Sequence, residues 1–248
     1  RDRYDHSREK DAAAKFRMTE NQTDEDLLIL NGDDVESKAY FKDKSTLAAV
    51  KYVTHDRISD TSYTSVSGKI YDLSQSQLRG KHNQRNMAQA IEALEFIGIK
   101  PYKIMENISS FKGLSHRMEY VATVNGVDFI NDSKATNVDS VWYALDAMTQ
   151  PVVWIAGGTD KGNDYEAIMP LVKNKVKHLV SMAIDNAKLR HSFGGMVKGI
   201  EEASSAEEAV NKALQAASKG DVVLLSPACA SFDLFKNYED RGEKYKKA

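Results

Sequence analysis

The chain has 248 residues, 42% hydrophobic and 28% charged, which is the composition of a globular protein with one large domain or two ordinary ones. Its 34 basic and 36 acidic residues nearly balance, so charge gives no support for binding nucleic acid. A single cysteine excludes an internal disulfide, and no apolar run approaches the ~20 residues that span a bilayer, so we expect a cytoplasmic protein.

The first half of the chain predicts mixed helical and extended structure. The predicted elements are a helix at 7–20, a buried strand at 27–30 ending in a polar turn at 31–34, short antiparallel strands within 46–72, and helices at 83–98 and 102–109. A polar segment with a glycine, residues 111–117, is a candidate domain boundary. The chain opens on the charged segment RDRYDHSREK without an initiator Met, so we expect it to begin inside a longer protein.

The second half alternates regularly between strands and helices. Strands are predicted at 118–124, 127–131, 151–156, 177–182, 196–200 and 221–226, and helices at 138–148, 164–174, 186–192, 206–218 and from about 233. Near-continuous runs of Val, Ile and Leu are typical of a parallel sheet that helices cover on both faces. The predicted fold class is therefore α/β.

Polar or small residues follow four of these strands. The four turns are NDSKATN (131–137), GGTDKGND (157–164), AIDNAK (183–188) and SPACAS (226–231). Ligands of open α/β sheets bind outside the carboxyl ends of the strands, so these turns are the candidate site. The glycine-rich turn carries Lys161 and differs from the G-x-x-x-x-G-K-[ST] phosphate loop. Lys161 is either an exposed lysine on a βα turn or a cation for a ligand.

Other candidate residues each allow a structural and a functional interpretation. Cys229 has no histidine near it in the sequence, so a small buried thiol fits better than a nucleophile. Ser231 can offer a hydroxyl and a helix amide to a carboxylate. Asn83 either caps a helix or forms, with Asn86, an amide pair for a heterocycle, while Lys15 reads as a solvated lysine. No set of His, Cys, Asp and Glu has zinc spacing. The residues alone indicate an α/β protein whose site collects lysines, hydroxyls and amides, which suit anionic ligands.

Four motifs taken together go further than single residues, because FINDSKATN, IAGGTDKGND, LLSPACASFDLFKNYEDRG and GKHNQRN resemble those of the Mur ligase family. The resemblance runs over essentially the whole chain. NDSKATN, its most specific part, resembles the branch that adds D-glutamate to UDP-N-acetylmuramoyl-L-alanine. The resemblance implies that residues 1–115 are the second half of a central ATPase domain, without its phosphate loop and magnesium-binding glutamate. Residues 116–248 would form the complete C-terminal domain, which is Rossmann-like and doubly wound.

The resemblance also implies a reaction and a set of roles. ATP would phosphorylate the alanyl carboxylate, and the amine of D-glutamate would attack the acyl phosphate, a step in peptidoglycan precursor synthesis. Lys15 would be carbamylated and hold Mg2+, a hard ion that prefers oxygen ligands, and Lys15, Lys134 and Lys161 would be catalytic. The implied contacts are Asn83 and Asn86 beside adenine, His116 at the nucleotide edge, Arg117, Asp132 and Lys134 on ATP, and Thr136, Lys161, Ser231, Phe232 and Tyr238 around D-glutamate.

Two alternatives remain. One is another amino-acid ligase of the same family, against which the NDSKATN and SPACAS turns argue. The other is a non-catalytic module that binds a nucleotide or an amino acid, which suits a chain without a phosphate loop. We expect the chain alone to lack ligase activity, and Lys15 to be unmodified in it. We also expect a monomer that binds small molecules, with no nucleic acid and no membrane span.

Overall fold

A computed structural model describes residues 7–42, 44–78 and 80–248. The charged start of the chain, residues 1–6, lies outside the described residues. The chain divides into two compact units, one up to Phe111 and one from Lys112 to Ala248. The assignment of residues 1–115 and 116–248 to two functional domains remains a prediction.

The first unit combines helices with two small sheets. Its elements are α1 (Arg8–Phe16) with a 3-10 turn (Arg17–Thr19), β1 (Leu27–Asn31), α2 (Val35–Lys42), β2 (Ala49–Val53), a 3-10 turn (His55–Arg57), β3 (Ser62–Thr64), β4 (Ile70–Asp72), α3 (Lys81–Phe96) and α4 (Pro101–Ser110). The predicted antiparallel pairing is right for β3 and β4, but it is wrong for β2, which runs parallel to β1. Apolar composition sets which residues are buried, but it does not set the direction of a strand.

Helix α2 is absent from the sequence prediction. The side chain of Asp34 accepts a hydrogen bond from the Ser37 amide at 2.8 Å, as a helix-capping residue does. Asn83 is not a cap, because α3 begins two residues earlier, at Lys81, and Gly80 occupies the capping position with a φ of 91°. The capping interpretation of Asn83 is therefore wrong.

A buried acid joins α3 to the hairpin of β3 and β4. Glu92 is fully buried, and its carboxylate accepts hydrogen bonds from the Tyr63 hydroxyl at 2.7 Å and the Val66 amide at 2.6 Å. The Lys51 amine completes the arrangement with an ion pair of 2.7 Å. All of these partners come from this unit, so the buried negative charge is fully compensated within it.

The second unit is a single six-stranded sheet with helices on both faces. Its elements are β5 (Glu119–Val124), β6 (Val127–Asn131), α5 (Val138–Asp146), β7 (Val152–Ala156), a 3-10 turn (Glu166–Ile168), α6 (Met169–Lys175), β8 (Val176–Met182), α7 (Ala187–Phe193), β9 (Ile200–Ala203), α8 (Ala206–Ala216), β10 (Val222–Leu225) and α9 (Tyr238–Lys247). The strand order is β5-β6-β10-β7-β8-β9, and only β5 runs antiparallel to its neighbour. The predicted α/β doubly wound fold is confirmed.

Alternating side chains of the strands pack into two separate hydrophobic cores, one on each face of the sheet. Trp154 packs with residues of α5, α6 and α7, while Val153 and Ile155 pack with residues of α8 and α9 on the other face. All five residues of β7 are buried, which explains its continuous apolar sequence. Among the described residues, no helix has both the length and the apolar character that crossing a bilayer requires.

Two element starts in the second unit, those of β9 and α9, differ clearly from the prediction. The strand predicted at 196–200 begins only at Ile200, because Met196 and Val197 pack against the core from a turn. The last helix begins at Tyr238 rather than near 233, after its capping residue Asn237. Helix α5 begins at Val138 as predicted, after Asn137, whose side chain accepts a hydrogen bond from the Ser140 amide at 2.8 Å.

The topology brings three strand ends together. The chain passes from β6 to β7 and on to β8 and β9, and then returns so that β10 lies between β6 and β7. The carboxyl ends of β6, β10 and β7 are therefore neighbours at the point where the direction of winding changes. Ligands of doubly wound sheets bind at such a point.

Candidate functional site

The turns that follow β6, β7 and β10 form one structure, called here the three-turn site: residues 131–137, 157–164 and 226–231. Backbone hydrogen bonds connect the first turn to the third, from Ala228 to the Ala135 carbonyl at 2.9 Å. They also connect the second to the third, from Gly157 to the Pro227 carbonyl at 2.9 Å and from Thr159 to the Ala230 carbonyl at 2.8 Å. The three strand ends therefore hold one another in place without a ligand.

Two glycines make this close approach possible. Gly157 and Gly158 have φ values of 121° and 131°, which side-chain-bearing residues rarely adopt. A Cβ at Gly157 would lie 2.7 Å from the Met182 carbonyl oxygen, and one at Gly158 would collide with the Ala230 carbonyl oxygen. A larger residue at Gly158 would force the second turn away from the third, and one at Gly157 would force it away from the end of β8.

A buried arginine connects all three turns. Arg241 on α9 is 1% exposed, and its guanidinium donates to the Ser133 hydroxyl at 3.0 Å and the Ser133 carbonyl at 2.8 Å. It also donates to the carbonyl of Cys229 at 3.2 Å and, more weakly, to that of Gly157 at 3.5 Å. Burial lowers the pKa of Arg241 to about 10, which leaves the group charged near neutral pH.

The sequence does not single out Arg241 or Ser133. Arg241 stands in the charged run KNYEDRGEKYKK, where it is indistinguishable from its exposed neighbours. Ser133 lies between Asp132 and Lys134, and its hydroxyl also donates to the Tyr238 carbonyl at 2.8 Å. A serine in a turn is usually a local hydrogen-bonding residue, so this contact with a distant helix has no signature in the sequence.

Asp132 lies at the inner side of the first turn. It is 7% exposed and accepts hydrogen bonds from the Met118 amide at 3.2 Å and the Ser226 hydroxyl at 3.0 Å. Burial raises the pKa of its carboxyl to about 7, against the opposing effects of these hydrogen bonds and of the charge of Arg117. Asp132 can therefore exchange a proton close to neutral pH.

Lys134 is held by an aromatic residue of α9. Its amine donates to the Tyr238 hydroxyl at 2.8 Å and lies 4.5 Å from the centre of that ring. The Lys134 amide donates to the His116 carbonyl at 3.1 Å, which fixes the segment that carries Arg117 beside the first turn. His116 and Met118 both have positive φ values, 66° and 46°, a backbone strain of the kind found at functional sites.

The second turn exposes its lysine. Lys161 is exposed, and Asp160 closes the turn around it by accepting hydrogen bonds from the amides of Gly162 and Asn163, both at 2.8 Å. The predicted pocket residue Ser231 ends the third turn and is 2% exposed, and Phe232 follows it directly and is 70% exposed. The structure therefore gathers Asp132, Lys134, Thr136, Lys161, Ser231, Phe232 and Tyr238 at one edge of the sheet.

Three other predicted residues, Lys15, Asn83 and Asn86, lie in the first unit. The amide of Asn86 is 3.4 Å from the side-chain oxygen of Asn83, so these two residues do form a pair on α3. Lys15 is exposed on α1 and makes an ion pair of 2.8 Å with Asp11. Within the described part of the chain, no three His, Cys, Asp or Glu side chains could hold a metal ion together.

Comparison with known proteins identifies the family. Residues 116–229 match the family described as "Mur ligase, glutamate ligase domain". Residues 116–229 are therefore a Mur ligase domain, and the whole chain is similar to ligases of the Mur family. The resemblance inferred from the turns is thus confirmed, and the match to a Mur ligase domain includes the first two turns and most of the third.

Curated relatives are similar to the chain over nearly all of its length. It is 44% identical, over 99% of the chain, to a UDP-N-acetylmuramoylalanine--D-glutamate ligase of Cytophaga hutchinsonii, and 41% identical, over 100%, to one of Christiangramia forsetii. The chain spans 57% and 58% of the length of these two relatives.

Solved structures of other Mur ligases share the fold at low identity. The MurF ligase of Thermotoga maritima in complex with ADP has a TM-score of 0.70 at 12% identity, over 97% of this chain and 58% of that chain. The UDP-N-acetylmuramate-alanine ligase MurC of the same organism has a TM-score of 0.65 at 14% identity, over 98% and 55%. At this identity the likeness concerns the fold alone.

Proposed function

We propose that this chain is the part of an ATP-dependent cytoplasmic ligase that binds D-glutamate and joins it to UDP-N-acetylmuramoyl-L-alanine, for peptidoglycan precursor synthesis. The observation that carries this proposal is the three-turn site, which sets two lysines beside buried and half-buried hydroxyls at the winding switch of the sheet. The names of the relatives that are 41–44% identical support the choice of D-glutamate.

The proposed chemistry has two steps. The terminal phosphoryl group of ATP is transferred to an oxygen of the alanyl carboxylate, which gives an acyl phosphate and ADP. The amine of D-glutamate then attacks the acyl carbon, and the tetrahedral intermediate collapses with loss of inorganic phosphate and of one proton from the nitrogen. Because phosphate leaves far more readily than oxide, the protein has mainly to position the reactants and stabilise charge.

Residues of the second unit are assigned to the two small ligands. Lys161 binds a carboxylate of D-glutamate, because its amine is exposed and pairs with no carboxylate of the described residues. Thr136 and Ser231 donate hydrogen bonds to a carboxylate, and the Phe232 and Tyr238 rings border the amino acid. The nucleotide is assigned to Arg117, Asp132 and Lys134.

Two residues of the first unit are assigned to adenine, and none is assigned to a metal ion. Asn83 and Asn86 suit a heterocycle, because their paired amides offer both donors and acceptors. Carbamylation of Lys15 would give an oxygen ligand for Mg2+. The described residues form no metal-binding group, and the Lys15 amine pairs with Asp11, so this chain does not fit the metal and no step is assigned to it.

Binding of D-glutamate to the 248-residue chain tests the proposal. Calorimetric titrations with D-glutamate, L-glutamate, L-alanine and a diamino acid should give the highest affinity for D-glutamate, with or without ATP. Lys161→Ala should weaken D-glutamate binding by about 1.5–3 kcal/mol, the value of a charged hydrogen bond. Lys173→Ala, which removes an exposed lysine of α6, is the matched control and should leave the affinity unchanged.

The alternatives give different results in the same titrations. Tighter binding of another amino acid would assign the chain to a different ligase of the family. Loss of D-glutamate binding in Lys173→Ala as well as in Lys161→Ala would remove the specific role of Lys161. Phosphate release that depends on D-glutamate is not expected from the chain alone, because its 248 residues contain no G-x-x-x-x-G-K-[ST] loop.

A further inference from the structure

The fourth polar turn, residues 183–188, has no role in the proposed function, but it touches both sides of the amino-acid site. The Ile184 amide donates to the carboxylate of Asp233 at 3.2 Å, directly after Ser231 and Phe232 in the chain. Lys188, at the start of α7, makes an ion pair of 2.7 Å with Asp160 on the turn that carries Lys161. The fourth turn is therefore attached to the second and third turns at their ligand-facing ends.

Asp160 serves two purposes with its two oxygens. One oxygen accepts the amides of Gly162 and Asn163 and so shapes the turn, while the other faces the Lys188 amine. Burial acts to raise the pKa of Asp160, but the hydrogen bonds from Lys188 and from the two amides outweigh it and hold the pKa below its usual value. Asp160 is therefore a negative charge fixed one residue away from Lys161.

A fixed carboxylate at this place works against binding of an anionic amino acid. It repels the two carboxylates of D-glutamate, and it offers the neighbouring Lys161 amine a partner within the protein. The Lys188 amine cancels this charge and occupies the oxygen that Lys161 would otherwise use. Lys188 itself lies 5.7 Å from the centre of the Tyr165 ring, a buried residue that gives the amine a defined position.

We propose that Lys188 is a positioning and specificity residue of the amino-acid site: by neutralising Asp160, it keeps Lys161 available for a carboxylate of the ligand. This inference rests on the proposed function. It assigns a purpose to the fourth turn, and it predicts that Lys188 acts only through Asp160, without contacting the ligand.

Variants of the pair test the proposal in titrations of the 248-residue chain with D-glutamate. Lys188→Met keeps the length of the side chain but leaves Asp160 uncompensated, so it should weaken binding about tenfold. The double variant Asp160→Asn, Lys188→Met should return to within about threefold of the wild type, because the Asn oxygen still accepts the two turn amides while the negative charge is gone.

The control is a lysine–carboxylate pair away from the site. Lys212 pairs with Glu208 at 2.6 Å on α8, and Lys212→Met should leave D-glutamate binding unchanged. Lys188→Arg keeps the charge and should bind within about twofold of the wild type. Far-ultraviolet circular dichroism of every variant checks that the fold is retained.

The outcomes separate the two proposals. Suppose that the wild type binds D-glutamate and Lys161→Ala does not. If Lys188→Met then binds D-glutamate as tightly as the wild type does, this inference is wrong and the proposed function stands. If the double variant is as weak as Lys188→Met, Lys188 contacts the ligand directly, which also overturns the indirect role. If the wild type does not bind D-glutamate, both proposals fail.

Discussion

Among the described residues, each unit has one charged side chain that is at most 1% exposed, Glu92 in the first and Arg241 in the second. The two side chains differ in whether a partner of opposite charge contacts them. Glu92 in the first unit contacts a lysine amine, a tyrosine hydroxyl and a backbone amide, so its charge is neutralised within the unit. Arg241 in the second unit donates only to neutral oxygens of Ser133, Cys229 and Gly157. No carboxylate of the described residues lies within ion-pair distance of Arg241, and Asp233 acts on it only from further away.

We propose that this difference separates a structural network from a binding site. A compensated charge holds two elements together and has no field left for a ligand. An uncompensated cation holds the three turns through their carbonyls and also leaves positive potential at the edge where they meet. The exposed Lys161 adds to that potential, which supports the proposal that the three-turn site binds an anion.

Removal of the Arg241 charge should have the largest effect on the free energy of unfolding. Arg241→Met leaves the carbonyl oxygens of Ser133 and Cys229 and the Ser133 hydroxyl without their donor, so we expect the free energy of unfolding to fall by about 4 kcal/mol. Urea denaturation followed by tryptophan fluorescence measures the change, and Trp154 in the core of this unit is the reporter.

A matched variant sharpens this result. Arg190→Met removes an arginine whose partner is the exposed Glu202, and it should cost less than about 1 kcal/mol. Arg241→Lys keeps the charge but cannot reach all the carbonyls, so its loss of stability should lie between those of Arg241→Met and Arg190→Met. Equal stability of Arg241→Met and Arg190→Met would contradict the role of Arg241 as the connection between the turns.

The pH dependence of stability should give the next largest effect, through Asp132. In the unfolded chain this carboxyl loses its proton near its ordinary pKa of 3.8, whereas in the folded chain it keeps the proton up to about pH 7. Between these values the unfolded state binds fewer protons, so stability falls as pH rises and levels off above about pH 7.

Comparison of Asp132→Asn with the wild type isolates this effect, because asparagine does not titrate. The variant should gain about 2–3 kcal/mol relative to the wild type between about pH 4 and pH 7, as measured by urea denaturation at several pH values. A difference that does not change with pH would mean that Asp132 is ionised throughout this range, and it would remove the burial argument.

Much of the fold follows from the sequence of the second unit. Continuous apolar strands such as β7 and capping residues such as Asn137 are local features, and each was enough to predict its element. The direction of β2 and the start of β9 depend on contacts between distant residues, and local patterns do not contain them. Met196 and Val197 show the difficulty, because they are apolar and packed without being in a strand.

The site could be predicted only in part. The turns carry their lysines and hydroxyls next to each other in sequence, and the topology rule places them at one edge of the sheet. Arg241, Ser133 and Lys188 contact residues that are 12 or more positions away in the chain, and the sequence does not show whether a side chain is buried, paired or exposed. The missed residues are therefore the ones that connect the turns, while the predicted ones are those to which we assign a ligand contact.

The compensated charge of the first unit should respond least to substitution. In Glu92→Gln the remaining carbonyl oxygen still accepts from the Tyr63 hydroxyl and the Val66 amide, but the new amide faces the Lys51 amine. Because the Lys51 side chain is 23% exposed, its amine can turn to water, so we expect a loss of about 1–2 kcal/mol in urea denaturation. The double variant with Lys51→Met should recover part of that loss, since it removes the cation left behind. A loss as large as that of Arg241→Met would mean that both buried charges carry equal structural weight, and the contrast between the two units would then lie only in their surfaces.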